Sequence, residues 1–167
     1  MTVIFVTVGT HEQAFDRLVR YIDELKGSGV IEDEVVIQTG YSTYEPQHCT
    51  WDKFYPYQKM VAYVNEARIV VTHGGPSSFI MPFQVGKIPV VVPRQKKFDE
   101  HVNDHQLSFA KEVQARQGNM FVVEDIEDLK DILLGYEALI EAMPSEHKSN
   151  NARFNEQFSA IVDELLA

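Results

Sequence analysis

The sequence predicts an α/β protein with a Rossmann-like open parallel sheet and helices on both faces. Three observations predict this class. Runs such as residues 3–8 and 35–39 are apolar throughout, as strands buried on both faces are, rather than apolar at every second position. Segments with helical spacing of apolar residues separate these runs, and that alternation indicates a parallel sheet covered by helices. Gly9 and Gly40 each stop a strand run at its carboxyl end.

The elements follow one another in a regular order. Five buried strands are predicted, over residues 3–8, 35–39, 68–72, 89–92 and 120–123, with a short extra strand near 50–54. Apolar residues from Phe15 to Leu25 recur at helical spacing, and Gly27 closes that helix. Pro56 suits the first turn of the next helix. Further helices are predicted over 77–85, about 100–116, 126–140 and 146–166.

Composition and charge exclude several classes of function. The 167 residues, 44% of them hydrophobic, are expected to form one globular domain, 1–167. A net charge of −10 argues against nucleic-acid binding, because affinity for the phosphate backbone comes from clustered Lys and Arg. No apolar run approaches the ~20 residues of a membrane span. The N-terminus lacks the basic flank of a signal peptide, and the single cysteine, Cys49, suits a reducing cytoplasm.

Ligands of open parallel sheets bind beyond the carboxyl ends of the strands. This rule selects four loops: 9–12, 40–48, 73–78 and 93–101. In the loop 73–78, the two glycines can let the backbone approach a ligand closely, and Ser77 or Ser78 can cap the following helix. A helix N-terminus attracts anions, so the loop is either a phosphate site or simply a capped turn. From the residues alone, both interpretations stay open.

The loop after the first strand has a similar design. Gly9 opens a turn, and Thr10 offers a hydroxyl group and an N-cap, with Glu12 in the first turn of the next helix. This loop lies in the same strand-end layer as residues 73–78. It is therefore either a structural cap or a second part of one binding site.

The segment 93–106, PRQKKFDEHVNDHQ, is rich in polar side chains. On a helix, His101, Asp104 and His105 would share one face, at positions i, i+3 and i+4. A metal site is conceivable, but no third ligand stands at a diagnostic spacing. The alternatives are a solvated helix surface or a site for a ligand with many hydroxyl groups, such as a sugar.

No residue is a convincing nucleophile. Cys49 has no basic neighbour in sequence to lower its pKa, and Ser77 and Ser78 lack the nucleophile elbow of hydrolases. A direct displacement assisted by a general base fits better. The candidate bases are His11, His73, His101 and His105, of which His11 and His105 are kept as catalytic candidates.

Taken together, these segments resemble the C-terminal, donor-binding domain of GT-B glycosyltransferases of the MurG type, family 28. The resemblance rests on the strand followed by H-G-G-P-S-S, on G-K-x-P-V-V-V-P-R and on E-H-V-N-D-H-Q, and it covers roughly residues 3–125. It is strongest to stand-alone versions of the domain, which are small cytosolic subunits of two-component transferases. These include the eukaryotic dolichol-linked N-acetylglucosaminyltransferase and bacterial exopolysaccharide or capsule subunits of the PssE, CpsF or EpsF type. The opening V-T-V-G-T and the E-H-V-N-D-H-Q block look like the bacterial group, and the fold implied is a single GT-B half.

The resemblance implies a nucleotide-sugar donor, normally a UDP-sugar, held at the strand ends; no cofactor or metal is expected. The residues that it assigns to donor binding are Gly9, Thr10, His73, Gly74, Gly75, Ser77, Ser78, Arg94, Glu100, His101, Asn103, Asp104 and Gln106. Arg94 is expected to help neutralise the diphosphate. The family usually places a Glu in the helix after the glycines to bind the ribose hydroxyls, and Met81 stands there in this sequence.

The resemblance also implies a partner. A membrane-associated glycosyltransferase subunit would hold a lipid-linked acceptor, and this chain would be cytoplasmic and recruited to the inner face of the membrane. The last predicted helix carries an apolar stripe that either covers the chain's own sheet or docks on the partner: Phe154, Phe158, Ile161, Val162 and Leu165.

Three functions are consistent with the sequence. The first is the UDP-sugar-binding subunit of a transferase that adds a hexose to a lipid-linked oligosaccharide for exopolysaccharide or capsule. The second is a non-catalytic enhancer that stabilises a partner enzyme, and Met81 favours it. The third, a nucleotide-binding Rossmann protein outside sugar transfer, is weaker because no acidic ribose-binding residue follows the second strand at the expected position.

Overall fold

The computed structural model describes residues 2–143. Its centre is a sheet of six strands in the order β3-β2-β1-β4-β5-β6, in which every pairing is parallel. The strands are β1 (Val3–Thr7), β2 (Glu34–Gln38), β3 (Thr50–Asp52), β4 (Ile69–Thr72), β5 (Val90–Val91) and β6 (Phe121–Val122). The predicted Rossmann-like sheet is confirmed, and each predicted strand agrees within about two residues at either end.

Helices cover both faces of the sheet. They are α1 (Asp16–Gly27), α2 (Tyr57–Glu66), α3 (Pro76–Gln84), α4 (His105–Gln117), α5 (Asp128–Leu134) and α6 (Tyr136–Glu141). On one face, α1, α5 and α6 pack on alternate strand residues such as Val6, Ile37 and Val71. On the other face, α2 packs on Phe5 and Val70, while α3 and α4 pack together over β5. The strands are apolar throughout because both of their faces are buried.

The start of α4 differs from the prediction. A helix from about residue 100 was expected, but the helix begins at His105. The Asn103 side-chain oxygen accepts a hydrogen bond from the His105 amide, and Asp104 accepts one from the Lys96 amide. Such side-chain bonds to the backbone compete with helix formation. The prediction that His101, Asp104 and His105 share one helix face is therefore wrong.

Two other helix predictions have different outcomes. The helix expected over 126–140 is divided at Gly135 into α5 and α6. The helix expected over 146–166, with its apolar stripe, lies outside the described residues. Within residues 2–143, no helix is long and apolar enough to cross a membrane.

Two carboxylates of α1 hold the loop between β2 and β3. Asp23 accepts hydrogen bonds from the Tyr44 hydroxyl at 2.7 Å and from the amides of Gln47 and His48 at 2.9 and 2.8 Å. Asp16 accepts bonds from the backbone and side chain of Thr43. Burial raises the pKa of both carboxyls, but these hydrogen bonds outweigh it and leave each pKa below its ordinary value. The loop that borders the carboxyl edge of β2 is thereby fixed to a core helix.

Candidate functional site

A cleft of about 520 Å³ lies at the carboxyl edge of the sheet, next to β1 and β4. This is the edge at which open parallel sheets bind ligands, and the volume is in the range of small-molecule sites. The lining residues are Gly9, Thr10, His11, Gln38, Tyr55, Tyr57, Met60, His73, Ser77, Ser78 and Met81. The structure thus brings together the two loops that the sequence placed in one layer, 9–12 and 73–78.

The imidazole ring of His73 occupies a slot between two glycines. An added Cβ at Gly9 would lie 2.2 Å from His73 Nε2, and one at Gly75 would lie 2.2 Å from His73 Cε1. Gly9 also has a φ of +78°, a conformation that favours glycine. Gly74 packs against Gln106 in the same manner, with a Cβ position 2.8 Å from the Gln106 Cβ. These glycines make room for side chains of the protein.

The amides of the three glycines are bound within the protein. Gly9 N–H donates to the Thr7 hydroxyl, Gly74 N–H to the Gln106 side-chain oxygen, and Gly75 N–H to His73 Nδ1. These three N–H groups are therefore not available to a ligand in this structure, and the assignment of the three glycines to donor binding stays a prediction. Their contribution to the site is the close packing that shapes its floor.

The two serines stand at the start of α3, but neither caps it. Gly75 is the N-cap residue, and no side chain makes a capping hydrogen bond. Ser78 Oγ lies 2.8 Å from His73 Nε2. Ser77 is exposed, and within residues 2–143 neither its amide nor its hydroxyl has a hydrogen-bond partner. The predicted capping role is wrong; both serines instead line the cleft, Ser77 without a hydrogen-bond partner among the described residues and Ser78 in contact with His73.

Thr10 lies at the mouth of the cleft and is exposed. It does not cap a helix, because α1 begins only at Asp16, with Phe15 as its N-cap residue. Glu12 consequently lies in the loop and not in the first helical turn. The Thr10 hydroxyl is thus free to face a ligand.

Arg94 and Glu100 lie beneath the surface of the site. Arg94 has 0% exposure, and its guanidinium donates to the carbonyls of Val8, Gln13 and Glu100. Burial, opposed in part by the nearby Glu100 charge, lowers the pKa of Arg94 to about 10, so it remains a cation at neutral pH. Glu100 is also buried and forms an ion pair with Arg17. The expectation that either side chain touches a ligand is not supported; together they join the loops around the cleft.

The segment from His101 to Gln106 is divided between structural contacts and the surface. The Gln106 side-chain oxygen accepts hydrogen bonds from the amides of Gly74 and Arg94, so it fastens the β4 loop to the β5 loop. Asn103 and Asp104 are exposed and hold the start of α4. The donor-sugar contacts expected of this segment remain a prediction, because these side chains lie outside the lining of the cleft.

Two histidines from different loops stack at the edge of the site. The rings of His11 and His101 are nearly parallel, with centroids 4.5 Å apart. His11 lines the cleft, and its Nε2 lies 2.9 Å from Gln13 Oε1. Burial, followed by the charges of His11 and Arg94, lowers the pKa of His101. His105 is exposed at the first turn of α4. Of the two catalytic candidates, His11 is therefore the one that the structure places at the cleft.

Sequence reasoning missed the aromatic side of the cleft. Tyr55 and Tyr57 line it, Tyr57 with 72% exposure, and Gln38 accepts a hydrogen bond from the Tyr55 amide. The aromatic content of the irregular segment 41–55 and Pro56 was the available signal, because aromatic rings beside a helix start can form a stacking surface. Met81, which stands where the family places a Glu, also lines the cleft.

Neither a thiol nor a metal centre is found at the site. Burial, with the neighbouring Asp23 charge, raises the pKa of Cys49 to about 12, so the thiol is protonated at neutral pH. Across the described part of the chain, no group of three His, Cys, Asp or Glu side chains is arranged to hold a metal ion.

Comparison with protein families gives a match over nearly the whole chain. Residues 3–164 match the glycosyltransferase family 28 C-terminal domain. Among curated proteins, the chain is 29% identical over 130 residues to the Homo sapiens UDP-N-acetylglucosamine transferase subunit ALG13. That match covers 72% of this chain and 11% of the human protein, so the chain spans about a tenth of that relative.

Solved structures share the fold. A glycotransferase of kitacinnamycin matches with a TM-score of 0.60 and 18% identity, over 98% of this chain and 41% of that one. Acinetobacter baumannii MurG matches with a TM-score of 0.53 and 17% identity, over 99% of this chain and 50% of that one. At these identities the likeness concerns the fold alone, and the chain spans half or less of each. The predicted single GT-B half is confirmed.

Proposed function

The chain belongs to the glycosyltransferase family 28 C-terminal domain family, and from this premise we propose that it binds the UDP-sugar donor of a two-component transferase. The reaction would add a hexose to a lipid-linked oligosaccharide in exopolysaccharide or capsule synthesis. A membrane-associated partner subunit would hold the acceptor and recruit this chain, from the cytoplasm, to the inner face of the membrane. The name of the human relative, a UDP-N-acetylglucosamine transferase subunit, supports both the donor and the partner.

The single observation that carries the proposal is the cleft between β1 and β4. Its wall carries the Ser77 and Ser78 hydroxyls and the N-terminus of α3, and Thr10 adds a third hydroxyl at the mouth. Hydroxyl groups and a helix N-terminus both favour the binding of a diphosphate. Arg94 adds positive potential from below without contact, because its buried guanidinium donates to three backbone carbonyls, although the nearby Glu100 charge offsets part of that potential.

The aromatic side of the cleft supports a nucleoside. Tyr55 and Tyr57 present ring surface beside the apolar Met60 and Met81. A base stacked on an exposed aromatic ring gains about 1–3 kcal/mol in single-stranded nucleic-acid complexes, irrespective of sequence. In this proposal the base lies at the tyrosines and the diphosphate at the serines, which leaves the sugar near His11.

The chemistry would be a direct displacement. An acceptor hydroxyl attacks the anomeric carbon, and the sugar–phosphate bond breaks to release UDP. Negative charge develops on the leaving diphosphate, so fixed donors aimed at it accelerate the reaction. His11 is the cleft-lining candidate for the group that removes the acceptor proton.

Titration calorimetry with UDP and UDP-sugars tests donor binding. We expect Ser77→Ala and Ser78→Ala each to weaken UDP binding by about tenfold to a hundredfold, since a hydrogen bond to a charged group contributes about 1.5–3 kcal/mol. Ser108→Ala is the matched control, because Ser108 is exposed on α4 away from the cleft. Wild-type affinity in both cleft variants would contradict the proposed diphosphate site.

A transfer assay with a reconstituted partner subunit tests the two-component reaction. Sugar transfer that requires both chains is the expected result. Transfer that proceeds equally well without this chain would rule out the proposed role.

Met81 favours a second candidate, a non-catalytic enhancer of a partner that already holds the donor. A thioether accepts hydrogen bonds from ribose hydroxyls poorly, and Met81 lies at the cleft. For such an enhancer, Ser77→Ala and Ser78→Ala would leave transfer by the complex unchanged, whereas the donor-site proposal requires both to reduce it.

A further inference from the structure

The hydrogen bonds of His73 define which of its nitrogen atoms carries the proton. His73 Nδ1 lies 3.1 Å from the Gly75 amide nitrogen, which can only donate, so Nδ1 accepts. In a neutral imidazole the proton then resides on Nε2, which lies 2.8 Å from Ser78 Oγ. His73 Nε2–H therefore donates to the Ser78 hydroxyl oxygen.

The ring remains neutral and cannot turn over. Burial, together with the Arg94 charge, lowers the pKa of His73 to about 3; the Gln106 side chain acts in the opposite direction, and the charges of His11 and His101 add to the lowering. The slot between Gly9 and Gly75 leaves no room for the ring to move, because a Cβ on either side would meet it at 2.2 Å. The direction of the hydrogen bond is thus fixed by packing and by protonation together.

The hydroxyl hydrogen of Ser78 is not used in a hydrogen bond within the described residues. Because Ser78 Oγ accepts from His73, its own hydrogen must point elsewhere, and among residues 2–143 no acceptor is bound to it. Ser78 lines the cleft. We propose that His73 is a positioning residue that turns the Ser78 hydroxyl hydrogen toward the diphosphate. This inference rests on the proposed function and deepens it.

The alternative is that His73 only fills its slot. Two variants separate a positioning role from a filling role. His73→Asn retains an oxygen that can accept from the Gly75 amide, but its amide group is too short to reach Ser78. His73→Gln carries an amide N–H nearer to the position of Nε2–H, and it should restore part of the lost affinity.

A double-mutant cycle on UDP affinity, measured by titration calorimetry, is the test. We expect about a fivefold to tenfold loss for His73→Asn and a larger loss for Ser78→Ala, with the double variant no weaker than Ser78→Ala alone. If His73→Asn weakens UDP binding by the same factor in the wild-type protein and in the Ser78→Ala variant, the inference is overturned. The same affinity for His73→Gln and His73→Asn would overturn it as well.

Nitrogen NMR of wild-type protein labelled at histidine provides a second test of which His73 nitrogen is protonated. It requires no variant, so a folding defect in a variant cannot affect it. The expected spectrum shows His73 protonated on Nε2 alone from mildly acidic to mildly basic solution; a proton on Nδ1, or a charged ring at neutral pH, would overturn the inference. If wild-type protein, alone and with a partner, fails to bind UDP, the proposed function itself fails. Normal UDP binding with an additive cycle refutes only the positioning role.

Discussion

The contacts of His73 with its flanking glycines allow a stability prediction in which two physical effects are separated. Gly9 has both a left-handed backbone and no room for a Cβ, since that atom would lie 2.2 Å from the His73 ring. Gly29 has a similar φ of +84° but open space around it. Gly75 has an ordinary φ of −76° and the same contact with the ring. Alanine at Gly9 therefore introduces both a strained backbone and a steric clash with His73. Alanine at Gly29 introduces only the strained backbone, and alanine at Gly75 introduces only the clash.

The magnitudes follow from these geometries. A left-handed conformation costs an L-residue roughly 1–2 kcal/mol. Overpacking in a closed core costs about 1–3 kcal/mol. We therefore expect Gly29→Ala to lower the free energy of unfolding by about 1–2 kcal/mol and Gly75→Ala by about 1–3 kcal/mol. Gly9→Ala should lower it by about 2–5 kcal/mol, the sum of the two.

Urea denaturation followed by circular dichroism measures all three free energies of unfolding. All three substitutions also reduce the conformational entropy of the unfolded chain to a similar extent, so this effect cancels in the comparison. If Gly9→Ala proves no more destabilising than Gly29→Ala, the packing of Gly9 against His73 is refuted, and with it the slot that fixes the ring.

Three further predictions concern other parts of the molecule. Hydrogen bonds hold the pKa values of Asp16 and Asp23 below normal against the effect of burial. The stability that these two ionised carboxylates contribute is therefore present above about pH 4, and it is lost as the pH falls through their pKa values in the folded protein. Urea midpoints against pH should show this loss, and Asp23→Asn should weaken it; an unchanged profile would contradict the account. Lys87 Nζ donates to three backbone carbonyls at the end of α2 at 2.5–2.6 Å, so Lys87→Met should lower the free energy of unfolding by about 1–2 kcal/mol. Lys111 lies in an exposed ion pair, so the control Lys111→Met should lower it by less than about 0.5 kcal/mol. Equal losses in urea denaturation would refute the capping role of Lys87. Met81→Glu should tighten UDP binding by about tenfold in calorimetry through hydrogen bonds to the ribose hydroxyls. Met81→Leu is the control. An unchanged affinity of the Met81→Glu variant would contradict the assignment of this position to the ribose.

The strands and the sheet could be predicted because strands that are buried on both faces are apolar at every position, and this pattern is visible in the sequence. A continuous run of β-branched residues such as 69–72 has few alternatives once Gly74, Gly75 and Pro76 follow it. The start of α4 could not be predicted from such a pattern. Its position depends on Asn103 and Asp104 bonding to the backbone, and these residue types are equally common on helix surfaces and in turns.

The candidate site could be placed but not interpreted from the sequence. Two glycines after a strand are equally suitable for a close ligand and for a close side chain, and only the position of the His73 ring decides between them. Arg94 stands in a run of basic residues that looks solvated, and Lys96 and Lys97 are indeed exposed. That Arg94 alone turns inward depends on carbonyls that lie 6 to 86 residues away in the chain, and no local pattern reveals them.

The buried guanidinium of Arg94 limits how the loops around the cleft can be redesigned. One side chain anchors the backbone of Val8, Gln13 and Glu100, so the segments around the cleft are not interchangeable modules. A chimera that replaces residues 8–14 alone with the loop of a relative must reproduce the carbonyl positions of Val8 and Gln13, or it leaves a buried cation without two of its three carbonyl acceptors. Residues 8–14 and 94–100 are therefore the smallest unit for transplantation, and libraries that vary both segments together should yield more folded members than libraries that vary either one.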